Sequence, residues 1–156
     1  MSSGAGRGSA YAAWASRATS RAHRGGCLCG AIRFLSQADP IASGYCHCRL
    51  CQRSTGAPVL AWGSFPVAAF AYVEGAPRVY RSSDHGQREF CARCGTQIAY
   101  RETRDAATVD VNLGSLDRPE SVVPRHHVFT SSRIAWFETA DALPRFEGAL
   151  PEQPRA

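Results

Sequence analysis

The hydrophobic positions of this chain fall into short runs separated by turn-forming residues. Seven runs are rich in β-branched or aromatic residues, or alternate between apolar and polar positions, and Gly, Pro, Ser or Asp interrupts them. They predict strands at 31–35, 41–46, 59–62, 70–73, 78–81, 97–101 and 108–113. The pattern predicts only two helical turns, one at 48–55 and one at 141–146, which Pro144 would end. The spacing of the turns predicts an all-β domain of small hairpin sheets.

Composition changes sharply near residue 23, and this predicts the domain organisation. Residues 1–22 are rich in Gly, Ser, Ala and Arg and contain no acidic residue, which is typical of a flexible basic N-terminal extension. The alternative is a targeting presequence, because Tyr11, Trp14 and Ala18 are spaced as one face of an amphipathic helix. We expect the folded domain to occupy 23–148. Residues 149–156 contain two prolines and predict a loose C-terminal tail.

The overall composition is that of a globular domain, with 44% hydrophobic and 20% charged residues among 156. No apolar run approaches the ~20 residues of a membrane helix, and no signal-peptide core precedes Cys27, so we expect a cytoplasmic protein. The net charge of +5 comes from the arginines that precede Asp39, since from Asp39 onward 13 basic residues balance 13 acidic ones. Nucleic-acid binding by the folded domain is therefore not expected.

The chain has seven cysteines, arranged as a pair, a trio and a pair. They are Cys27 and Cys29, then Cys46, Cys48 and Cys51, then Cys91 and Cys94. Such spacings suit a tetrahedral zinc ion. The odd number argues against a complete disulfide framework, and a redox dithiol at Cys91 and Cys94 would leave the two Cys-x-Cys pairs unexplained. One closed four-cysteine site and one three-cysteine site with a vacant position use all seven, although structural zinc at both sites remains an alternative.

The two outer pairs share a glycine directly after the last cysteine, Gly30 in one and Gly95 in the other. Glycine allows a positive φ, so that backbone N–H groups can turn toward the thiolate sulfurs. The pairs are far apart in sequence, and a zinc ion shared by them would join the start of the domain to a later hairpin. This arrangement is typical of a structural site.

The trio lies where a strand is predicted to end. On a strand Cys46 and Cys48 share a face and His47 takes the other, so we favour a packing role for His47 over that of a fourth ligand. Zinc with three thiolates has a net charge of about −1, which suits the binding of a fourth thiolate from a substrate. The expected chemistry is a thiol sulfur adding to, or leaving from, a carbon atom.

Several residues near the trio are weaker candidates. Arg49 and Arg53 could steady its charge or bind a substrate carboxylate, although solvated surface positions explain them as well. The segment 54–56 could line a pocket or could be an ordinary turn. His126 and His127 are expected on a strand, one facing inward and one outward, with no motif that marks either as catalytic.

The sequence as a whole resembles one known family. The segments that carry the resemblance are 26–33, 46–56, 90–96, 112–117 and 126–137, which ends in Trp136 and Phe137. They are similar to the glutathione-dependent formaldehyde-activating enzyme (GFA) family, also called the centromere protein V domain family. The resemblance spans about residues 23–148 and keeps all seven cysteines in register.

The resemblance implies a fold, two metal sites and an activity. The fold is a zinc-stabilised antiparallel β fold of the β-tent type. The ligands of a structural zinc would be Cys27, Cys29, Cys91 and Cys94, and those of a catalytic zinc Cys46, Cys48 and Cys51. The family's named activity joins glutathione to formaldehyde to give S-hydroxymethylglutathione, a carbon–sulfur lyase reaction. We therefore expect an enzyme with two zinc ions per chain that binds a small thiol such as glutathione as zinc thiolate and forms or cleaves an S-hydroxyalkyl adduct with an aldehyde.

Two other functions remain open at this point. The first is a non-catalytic zinc-stabilised binding module that uses the basic N-terminal arm. The resemblance implies this alternative because the family includes centromere-associated members. It predicts salt-sensitive binding to an acidic polymer. The second is a thiol redox enzyme, which mild peroxide treatment would test through the loss of metal.

Overall fold

The computed structural model describes residues 22–151, in which the strands form two sheets. The smaller sheet is antiparallel and contains β1 (His23–Gly26), β2 (Arg33–Ser36) and β5 (Phe70–Glu74), in the order β1-β2-β5. The larger sheet contains β3 (Ala42–Cys46), β4 (Leu60–Pro66), β6 (Arg78–Arg81), β7 (Gly86–Phe90), β8 (Gln97–Glu102), β9 (Thr108–Asn112) and β10 (His127–Val128). Its strand order is β10-β3-β4-β9-β8-β7-β6.

Every pair of neighbouring strands is antiparallel except β10 and β3, which run parallel. Within the described range the chain has a single α-helix, α1 (Arg49–Thr55). Short 3-10 helices lie at Val67–Ala69, Leu113–Ser115, Pro119–Ser121 and Thr130–Ser132. No helix in residues 22–151 has the length and apolar character that crossing a membrane requires. The all-β prediction is confirmed.

One hydrophobic core serves both sheets. Phe34 of β2 and Phe70 of β5 pack with their rings 5.5 Å apart, and they belong to the same buried cluster as Phe65 of β4 and Val111 of β9. Cys27 and Cys91 also belong to this cluster. The outer cysteine pairs are therefore anchored at the edge of the core, where burial of apolar surface fixes their position.

All seven predicted strands overlap observed strands, and α1 confirms the helical turn predicted at 48–55. The sequence did not predict β1 or β7. Strand β7 has the sequence Gly-Gln-Arg-Glu-Phe, and its three consecutive polar residues resemble a loop. Two of them are buried because they have partners: Glu89 accepts hydrogen bonds from Arg101 Nε and Tyr72 Oη, both at 2.6 Å, and Arg88 faces the trio.

The predicted helical turn at 141–146 is wrong. This segment is extended and pairs with β10, as the hydrogen bonds from His127 N to Pro144 O (2.8 Å) and from Phe146 N to His127 O (2.9 Å) show. Pro144 has no N–H to donate to a helix, and the free edge of β10 offers the extended backbone its hydrogen bonds. The predicted extension lies outside the described residues except for Ala22, and so do the tail residues 152–156.

Candidate functional site

The two outer cysteine pairs come together. Cys27 and Cys29 lie in the turn between β1 and β2, and Cys91 and Cys94 lie in the turn between β7 and β8. The Sγ atoms of Cys27 and Cys29 are 3.6 Å apart, those of Cys29 and Cys91 are 3.8 Å apart, and all four lie within 4.8 Å of one another. Four sulfurs at this separation could hold one metal ion, and this donor set is one that zinc binds in closed sites.

The turns that carry these pairs are built alike. Gly30 and Gly95 each have φ of +75°, which an L side chain adopts only with strain. Backbone and side-chain donors turn toward the sulfurs: Ile32 N lies 3.3 Å from Cys27 Sγ, and hydrogen bonding from Thr96 helps to lower the pKa of the Cys94 thiol to about 5. The positive φ predicted at both glycines is confirmed.

The trio forms a second group at the junction of β3 and α1. Cys46 is the last residue of β3, Cys48 is the N-cap of α1, and Cys51 lies in its first turn, with all three Sγ atoms within 4.8 Å of one another. Cys48 Sγ accepts a hydrogen bond from Cys51 N at 3.3 Å and so caps the helix. Strand end, cap and first turn together bring three sulfurs to one point with only six residues of chain.

The electrostatics of the trio suit a bound cation. Hydrogen bonding from Cys46 and Cys51 lowers the pKa of the Cys48 thiol to about 2, whereas hydrogen bonding with Cys48 raises the pKa of Cys46. One sulfur is thus stabilised as a thiolate at the expense of its neighbours. A divalent cation would stabilise all three thiolates together, and a donor set of sulfurs is of the kind that zinc binds.

Next to the trio, three polar side chains form a hydrogen-bonded chain. His47 Nε2 lies 2.8 Å from His127 Nδ1, and His127 Nε2 lies 3.0 Å from Asp141 Oδ1. Both histidines are fully buried, and their rings stack with centroids 5.1 Å apart. His47 N also donates to Val128 O at 3.0 Å. The side chain of His47 therefore binds β10 and lies outside the sulfur cluster, as its predicted packing role requires.

Arg88, on β7 of the same sheet, approaches the trio. Its Nη2 lies 3.8 Å from Cys51 Sγ, and its guanidinium lies over the ring of Tyr100, 5.3 Å from the centroid. Only 6% of the residue is exposed. Sequence reasoning missed this contact because Arg88 lies in no motif. The three consecutive polar residues of β7 resemble a loop, so the sequence offers no signal that points to it.

A profile of the family described as glutathione-dependent formaldehyde-activating enzyme (GFA) matches residues 22–132, a range that contains all seven cysteines. The chain belongs to the GFA family. The resemblance noted in the sequence is thereby confirmed.

Two curated relatives of this GFA family member are similar over part of their lengths. An "Uncharacterized lyase" of Schizosaccharomyces pombe is 28% identical over 81 residues, which cover 52% of this chain and 58% of that protein. A "Putative glutathione-dependent formaldehyde-activating enzyme" of Halomonas elongata is 26% identical over 123 residues, which cover 73% of this chain and 78% of that protein. The chain thus spans little more than half of the first relative.

A solved structure supports the fold. The crystal structure of a Rhodobacter sphaeroides protein aligns with a TM-score of 0.50 at 21% sequence identity and covers 65% of this chain and 97% of that one. At this identity the likeness concerns the fold only. It agrees with an all-β domain.

The weaker candidates of the GFA chain take ordinary structural roles. Arg49 donates to Gln52 Oε1, and Arg53 is exposed. Ser54 and Thr55 donate to the carbonyl of Cys51 at 3.0 and 2.8 Å, in the last turn of α1. These contacts are those of an ordinary helix end, which was the alternative to a pocket-lining role for the segment 54–56.

The prediction that one of His126 and His127 faces outward is wrong, because 9% and 0% of these residues are exposed. His127 packs against Tyr45, and His126 lies edge-on to Trp62 at 5.5 Å. Aromatic side chains cover both faces of the chain here, since Trp62 and Phe146 contact His126 while Tyr45 and His47 contact His127. A strand covered on both faces buries both sets of side chains.

Proposed function

We propose that this protein is a zinc-dependent carbon–sulfur lyase that binds a small thiol such as glutathione and forms or cleaves its S-hydroxyalkyl adduct with an aldehyde. The observation that carries the proposal is the incomplete donor set of the trio. Among residues 22–151, no fourth Cys, His, Asp or Glu joins Cys46, Cys48 and Cys51. A tetrahedral ion held there would keep one position for a ligand from outside. Family membership and the names of the two relatives support the same class of reaction.

We propose different roles for the two cysteine groups. The group of Cys27, Cys29, Cys91 and Cys94 offers four sulfurs, which would saturate a zinc ion and suit a structural site. The trio would be the catalytic site. Its anchoring by α1 and by the hydrogen bond between His47 and His127 would hold the three sulfurs in place while the fourth position changes its ligand.

The proposed reaction balances without any redox partner. A zinc ion held by the trio would supply the positive charge that keeps a thiol sulfur deprotonated at neutral pH. The sulfur of the substrate forms a bond to the aldehyde carbon while the carbon–oxygen π bond breaks, and the new hydroxyl oxygen takes up the proton that the thiol lost. The reverse direction cleaves the carbon–sulfur bond and returns the thiol and the aldehyde.

Metal analysis combined with a thiol titration tests the proposal. We expect two zinc ions per chain, and glutathione should bind in calorimetry whereas S-methylglutathione, which has no free thiol, should not. Exchange NMR of glutathione with formaldehyde should show faster interconversion of free and adduct formaldehyde when the protein is added. Cys48→Ser should remove one zinc, thiol binding and the acceleration, and should keep the circular dichroism spectrum. Thiol binding and exchange rates that are the same with and without the Cys48→Ser change would contradict the proposal.

A further inference from the structure

Arg88 is a buried cation without a carboxylate partner. Among residues 22–151 the guanidinium takes part in no ion pair with Asp or Glu. Its Nη1 is buried and has no hydrogen-bond partner, while Nη2 faces Cys51 Sγ at 3.8 Å. Burial of an unpaired charge is costly, so a buried guanidinium requires a compensating negative charge.

The neighbouring residue on β7 has an ion-pair partner, so the lack of a carboxylate partner is specific to Arg88 and is not shared by the whole strand. Glu89, the next residue on β7, forms an ion pair with Arg101 at 2.6 Å and accepts a hydrogen bond from Tyr72. On the same strand, therefore, the buried charge of Glu89 is neutralised by an arginine. Across from Arg88 on β8 lies Tyr100, whose ring face contacts the guanidinium and contributes no formal charge. The anionic group within reach of Arg88 is the sulfur cluster itself.

Charge balance at the trio gives this contact a function. Three thiolates and a divalent zinc ion sum to about −1, and one guanidinium brings the centre to neutrality. A thiolate arriving as fourth ligand would raise the negative charge to about −2 without the arginine and to about −1 with it. An N–H group directed at Cys51 also withdraws electron density from that sulfur and leaves the metal a better acceptor for a fourth ligand.

We infer that Arg88 is the counter-charge of the three-cysteine centre and determines its preference for an anionic sulfur as fourth ligand. The inference rests on the proposed function and deepens it, since it names the residue that makes the capture of a thiolate favourable. Arg88 would act through Cys51 and the metal charge. It is therefore a specificity-determining residue at the site of reaction and need not exchange a proton.

Glutathione binding by zinc-loaded variants tests the inference. Arg88→Met removes the charge and keeps much of the side-chain volume, Arg88→Gln removes the charge and keeps an N–H donor, and Arg88→Lys keeps the charge. Arg78→Met is the matched control, because Arg78 is exposed on the neighbouring strand β6 and its loss changes the net charge equally. Zinc per chain and the Kd for glutathione are measured for each variant by metal analysis and calorimetry.

We expect Arg88→Met and Arg88→Gln to weaken glutathione binding about tenfold to a hundredfold, the range of one hydrogen bond to a charged group. Both zinc ions should remain, Arg88→Lys should bind more tightly than Arg88→Met, and Arg78→Met should match the wild type. With cobalt in place of zinc and no thiol present, the sulfur-to-metal charge-transfer band of Arg88→Met should shift to lower energy, because Cys51 becomes more electron-rich. A side chain that only fills space would not move this band.

Different outcomes separate the inference from the proposed function. If wild-type protein binds no thiol, the proposed function is overturned and the inference with it. If the wild type binds glutathione and the Met and Gln variants bind it equally well, only the inference is overturned. Should Arg88→Met fail to fold, Arg88→Gln decides the question by the same criterion.

Discussion

Replacing one cysteine of each group by serine should destabilise the fold to different extents. Cys29→Ser and Cys48→Ser form a suitable pair, because neither residue belongs to the buried core and the serine hydroxyl can still accept the helix-capping hydrogen bond that Cys48 accepts from Cys51 N. Each change removes one sulfur from one group. We expect the free energy of unfolding of the zinc-loaded protein to fall more for Cys29→Ser than for Cys48→Ser.

The expected difference follows from the length of chain that each metal group closes. Cys29 and Cys91 are 62 positions apart, whereas the trio spans six residues from Cys46 to Cys51. The loop-closure expression (3/2)RT ln n gives roughly 3.7 kcal/mol for the long loop and roughly 1.6 kcal/mol for the short one. A cross-link by the four-cysteine group therefore restricts the unfolded chain by about 2 kcal/mol more. For a domain of this size such a difference corresponds to roughly 6–10 °C in Tm.

Differential scanning calorimetry of the two variants, with zinc counted before each scan, checks this expectation. Each variant should retain one zinc ion, and Cys29→Ser should have the lower Tm. Equal Tm values, or a lower Tm for Cys48→Ser, would refute the assignment of the structural role to the four-cysteine group. A double variant should show nearly additive losses, since the groups lie at different turns and share no ligand.

Two further predictions concern the packing around β10. Gly44→Ala should lower the free energy of unfolding in urea by about 1–3 kcal/mol, because its Cβ would lie 2.7 Å from His126 Nε2 and 2.8 Å from His126 O. The control Gly114→Ala, whose Cβ would have no atom within 4 Å, should have little effect. Equal losses for the two variants would show that β10 can move aside. Burial lowers the pKa of His126, so the unfolded chain binds the proton more readily, and the free energy of unfolding should fall as pH drops below about 6.5. The urea midpoint of His126→Gln should therefore fall less between pH 7 and pH 5 than that of the wild type. Equal falls in the two urea midpoints would contradict this.

The sequence predicts the metal groups well because their geometry is local. One residue separates Cys46 from Cys48, one helical turn brings Cys51 beside them, and a glycine with positive φ follows each outer pair. These are properties of short stretches of chain, which spacing alone encodes. The grouping of the distant outer pairs follows instead from the number of cysteines, since one site of four and one site of three use all seven.

The surroundings of the trio could not be predicted in this way. Arg88 reaches Cys51 over 37 positions, and His127 reaches His47 over 80. These contacts depend on strand pairings that no short motif specifies, and the parallel pairing of β10 with β3 is one of them. The same non-local pairing extended the segment near Pro144 and buried His126 and His127, against the expectations from local pattern.

The distance in sequence between the trio and the histidine that packs behind it also has a consequence for folding during synthesis. Translation proceeds at about 5–20 residues per second, so the 80 positions between His47 and His127 correspond to about 4–16 seconds. During this interval the three thiols have left the ribosome before the strand that backs them exists. The four-cysteine group is complete once Cys94 emerges, which is earlier. If the four-cysteine group binds a metal ion, the nascent chain can acquire that ion first, and the trio receives its final enclosure only as synthesis passes residue 127.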